Sequence, residues 1–72
     1  MYDEALTTEA LYLADGADIH NVAGLVATYR SVAREGLDAG ELERELRRYV
    51  ACKRMGRLVI VNWPTLSATA CH

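Results

Sequence analysis

The chain has 72 residues, of which 51% are hydrophobic and 25% charged, with a formal net charge of −2. That is globular rather than disordered composition, and the length allows one small domain, residues 1–72, with one modest core. Two cysteines exclude a disulfide-rich scaffold, and no apolar run approaches the ~20 residues needed to span a bilayer.

The first helix is expected over residues 4–15, capped by Asp3, with Leu6, Ala10, Leu13 and Ala14 at helical spacing. Asp15-Gly16 ends it. Asp18 then suits the cap of a second helix with a broad apolar stripe of Ile19, Val22, Leu25, Val26, Tyr29, Val32 and Ala33. Gly24 inside that helix costs about 1 kcal/mol against Ala, so it points to the close approach of another backbone. Glu35-Gly36 closes the helix.

A third helix, 39–55, is the best signposted. Asp38 and Glu41 match a capping box, Leu37 and Leu42 a hydrophobic staple, and Gly56 a left-handed stop. Leu42, Leu46, Tyr49, Val50 and Met55 form its inward stripe. Leu58 to Val61 is a β-branched run that reads as a buried strand. Residues 65–70 alternate polar and apolar, which suits a returning strand, while Pro64 equally suits the start of a short helix. The fold class expected is therefore α+β and helix-dominated, three helices followed by a short strand or β-hairpin.

Charge is strongly polarised. Residues 1–29 hold five acids and no Lys or Arg, whereas residues 46–72 hold five bases and no acid. Such asymmetry marks either a charged partner or two solvated helix faces. The acidic start, MYDEALTTEA, lacks the basic and apolar regions of a signal peptide, so a cytoplasmic protein with both thiols reduced is expected. A Cys52–Cys71 bridge is possible from the sequence, but that compartment argues against it. His20, Cys52, Cys71 and His72 lack the paired spacing of a zinc site, so no metal or cofactor is expected. No nucleophile motif or phosphate loop appears, and the chain reads as a non-enzyme.

The segment KRMGRLVIVNWPTLSA resembles the closing part of small excisionase-type winged-helix proteins. The matching positions are Arg54, Met55, Gly56, the strand from Arg57, and Leu66, about a quarter of the chain. Tyr12 stands where the helix-turn-helix pattern of that family wants a small residue, and the second helix runs several residues too long. The resemblance implies DNA binding by a small regulator or recombination accessory factor and a helical segment over 64–70.

Two functions compete. In the first, a dimeric DNA-binding regulator contacts phosphates through Arg44, Arg47, Arg48, Lys53, Arg54 and Arg57, with His20, Asn21, Thr28 and Arg30 as weaker base-reading candidates. In the second, a protein-binding inhibitor of the mobile-element type presents Asp3, Glu4, Glu9, Asp15 and Trp63 to a basic target. A subunit whose charged ends pair between copies is a plainer third.

Overall fold

The computed structural model describes residues 2–61, 63–64 and 70–71. Asp3 starts the first helix, α1 (Glu4–Leu13), because its Oδ1 accepts the Leu6 N–H at 3.0 Å. That bond satisfies one donor that a helix start leaves without an intrahelical partner. The second helix, α2 (Asp18–Arg34), begins without such a cap. Asp18 is its first residue rather than its N-cap, and its carboxylate accepts instead from the Tyr49 hydroxyl of the next helix.

The third helix, α3 (Gly40–Arg54), corrects the expected cap by one residue. Ala39 is the N-cap, and Asp38 Oδ1 accepts the Gly40 N–H at 3.0 Å, a local side-chain turn in place of a capping box. Leu37 is exposed, so the expected staple does not close over it. Both long helices end alike. Gly36 and Gly56 adopt φ of 76° and 68°, and the following N–H reaches back to Val32 and Cys52 respectively. This is the Schellman arrangement, in which glycine takes a left-handed conformation that a Cβ disfavours.

The three helices pack around Leu6, Ala10, Val22, Leu25, Val26, Tyr29, Leu42, Leu46 and Tyr49. Two members of the expected stripes turn outward: Ile19 and Met55 are 49% and 61% exposed. Ile19 lies in the first turn of α2, and Met55 is the C-cap of α3, so neither has a helix packed across it.

After α3 the chain forms a short strand, β1 (Val59–Ile60), paired antiparallel with β2 (Ala70–Cys71). Val59 and Val61 are buried, while Leu58 and Ile60 face outward. Only one face of the run is core, contrary to the reading of a fully buried strand. The expected structure of residues 65–69, strand or helix, lies outside the described residues. Asn21 Nδ2 donates to the Val61 carbonyl at 3.0 Å and ties α2 to the segment after β1. Half-buried Trp63 packs against α2 at Gly24, where an added Cβ would lie 2.7 Å from the indole Cδ1. Gly24 thus makes room for an indole side chain rather than for a backbone. The Trp63-Pro64 bond is cis.

The reduced-thiol expectation is corrected. Cys52 and Cys71 are joined in a disulfide, with Cα atoms 5.9 Å apart. Pairing of β1 with β2 brings Cys71 back over the end of α3, a proximity that compartment reasoning from the chain start did not address. Among the described residues, no helix is long and apolar enough to cross a membrane.

Candidate functional site

Two buried tyrosines organise the polar chemistry. Tyr29 is wholly buried, and its hydroxyl donates to Glu43 Oε1 at 2.7 Å while accepting the Asp3 N–H at 2.8 Å. Arg47 closes this cluster from outside, its Nη2 lying 3.0 Å from Asp3 Oδ2 and 3.3 Å from Glu43 Oε2. Burial, reinforced by the Glu43 carboxylate, pushes the Tyr29 phenol above its ordinary range.

Tyr49 repeats the pattern at the opposite end of the bundle. Its hydroxyl donates to Asp18 Oδ2 at 3.2 Å, and Lys53 Nζ lies 3.0 Å from Asp15 and 3.8 Å from Asp18. Burial first, and the Asp18 charge second, push this phenol up as well. The Lys53 ammonium also sits 5.9 Å from the Tyr49 ring centroid. Both hydroxyls are engaged as donors to carboxylates, which suits structural roles rather than proton transfer.

These clusters show where the polarised charge goes. Asp3 pairs with Arg47, Glu4 with Arg30, Glu9 with Arg54 and Asp15 with Lys53. Every acid expected to meet a target surface therefore has a basic partner within its own chain. Three of the six bases expected to meet phosphate, Arg47, Lys53 and Arg54, are the partners of those acids. Helical geometry explains the division: at 100° per residue, Arg47 and Arg54 share the side of α3 that meets α1, and Lys53 points away from Arg44 toward the start of α2.

The remaining expected bases lie elsewhere on the surface. Arg44, Arg48, Ala51 and Met55 are all exposed and fall on one stripe of α3, with exposed Arg57 just beyond the helix. Arg44 and Arg57 form no ion pair among the described residues. Glu41 and Glu45 border the stripe on the side away from α1. Exposed Leu58 and Ile60 follow Arg57 and lie on one face of the strand. The sequence reading missed this apolar pair because four consecutive apolar residues carry no alternation to reveal an outer face.

Other predicted residues take structural positions. Trp63 lies against Gly24, Asn21 holds Val61, and Arg30 Nε donates to the Tyr2 hydroxyl at 2.9 Å. His20 is exposed, and Thr28 is half-buried. Arg30 and Arg34 line a shallow cleft of about 250 Å³ with Tyr2, Glu4 and Ala33. The imagined Cys and His ligand set loses both thiolates to the disulfide. In comparison with known proteins, the chain matches no family model, no curated protein and no solved structure.

Proposed function

We propose that the protein is a small DNA-binding regulatory module, winged-helix-like in use, that lays the exposed stripe of α3 against a duplex. Arg44 and Arg48 contact phosphates from the helix, and Arg57 contacts the backbone where the chain enters β1. The observation that carries this reading is the exposure of these three arginines along one side of α3 and just beyond its end. Guanidinium groups recognise phosphate by charge-assisted hydrogen bonds, and each contact releases counterions.

The test is anisotropy of labelled random-sequence duplex DNA at two salt concentrations, with Arg44→Glu and Arg57→Glu beside an Arg34→Glu control on α2. Micromolar affinity that falls with salt, weakened by the first two changes and not by the third, supports the proposal. Absence of binding at low salt rejects it.

A second reading is favoured by exposed Met55, Leu58 and Ile60 beside Arg57. A partner protein with an acidic rim and apolar anchors would suit this mixed surface better than a basic target would suit α1, whose acids are already engaged. Under that reading, Leu58→Asp removes partner capture while Arg44→Glu leaves it intact.

A further inference from the structure

Cys52 sits in the last turns of α3 and is 3% exposed, whereas Cys71 on β2 is half-buried and the more exposed residue of the two. Their bond closes a sequence separation of 19 residues. Among the described residues, β2 pairs with β1 through Val59 opposite Cys71 and Ile60 opposite Ala70. A two-stranded sheet has little stability in water by itself. The core draws most of its members from the three helices, Leu25, Tyr29, Leu46 and Tyr49 among them, while Val59 and Val61 add to it from β1 and its end. The covalent bond therefore joins a weakly paired segment to a helix that is independently packed.

We propose that Cys52–Cys71 is a thiol–disulfide exchange site, a reducible latch that holds β2 against α3 and β1 and releases it to a dithiol. This stands apart from the DNA-binding reading. A thiolate of the reductant bonds to Cys71 Sγ, the Cys52–Cys71 bond breaks, and the electron pair leaves on Cys52 Sγ, which takes a proton from water. The second thiolate of the reductant then displaces Cys71 Sγ, which is protonated in turn. Two electrons have passed to the bridge; the protein holds two thiols and the reductant a cyclic disulfide. Once β2 departs, the backbone edge of β1 is unpaired, which creates an open strand edge.

The folded protein, without denaturant, is treated with dithiothreitol, alkylated and weighed, and amide hydrogen exchange is compared before and after. The expected result is alkylation of both cysteines, with exchange accelerated about tenfold or more over residues 59–61 and 70–71 and unchanged in the middle of α1, α2 and α3. Cys71→Ser, without reductant, is expected to reproduce the same local pattern. A bridge that dithiothreitol opens only in denaturant would overturn the proposal. So would unchanged strand protection after reduction, which would mean that pairing alone holds β2. Loss of protection throughout the helices, in the reduced protein or in Cys71→Ser, would also overturn it, because the bond would then support the whole fold.

Discussion

Tyr29 and Tyr49 show how single residues tie the bundle together. Each buries a ring among apolar neighbours and delivers its hydroxyl to a carboxylate on another helix, Glu43 for Tyr29 and Asp18 for Tyr49. Both phenols titrate above their ordinary value of 10.0. A raised folded-state value means that the stabilisation is complete below pH ~10, where both states are protonated. Above it the unfolded chain releases protons that the native state retains, so stability falls by up to about 1.4 kcal/mol per pH unit for each tyrosine. Denaturant titrations at pH 9, 10 and 11 are expected to give a falling midpoint, with tyrosinate absorbance at these two sites appearing together with unfolding. Gly24 decides a second contact. Gly24→Ala forces the Trp63 indole off α2 and is expected to destabilise by about 1–3 kcal/mol, with a shift of Trp63 fluorescence toward that of solvated indole.

Helix boundaries were largely legible because their signals are local. Asp3, Gly36 and Gly56 act on backbone groups within a few residues, and α1 begins and α2 and α3 end where those residues stand, whereas α1 already stops at Leu13, before Asp15-Gly16, where Ala14 turns extended. The errors at this scale came from side chains with two possible duties. Asp18 and Asp38 have the chemistry of caps, yet Asp18 is drawn to Tyr49 across the bundle and Asp38 to the nearer Gly40 N–H. The α1–α3 contact adds ion pairs to apolar packing, of which Asp3–Arg47 at 3.0 Å is the best defined. Arg47 is 56% exposed there, so solvent screens the pair heavily. A double-mutant cycle with Asp3→Asn and Arg47→Gln is expected to give a coupling of about 0.5–1 kcal/mol that diminishes at 1 M salt. A coupling near zero would show that the pair orients the helices without stabilising them.

For the molecule as a whole, the opposed charges of the two chain ends meet in the folded domain. If the proposed DNA contacts are Arg44, Arg48 and Arg57, the logarithm of affinity falls against the logarithm of salt with a slope of about −3, rather than the −5 or so that six bases would give. Affinity measured over several salt concentrations separates the two values, and the steeper slope would mean that DNA displaces the acids of α1 and α2. The sequence by itself determined three helices and a following strand, because periodicity and terminal signals report on neighbours a few residues away. It also determined that acids and bases are segregated along the chain. Only the tertiary structure decided what that segregation does, since Asp3 and Arg47, or Asp15 and Lys53, meet by the packing of helices distant in sequence. The same holds for the bridge between Cys52 and Cys71 and for the outward face of Leu58 and Ile60. Long-range pairing fixes both, and no local pattern encodes it.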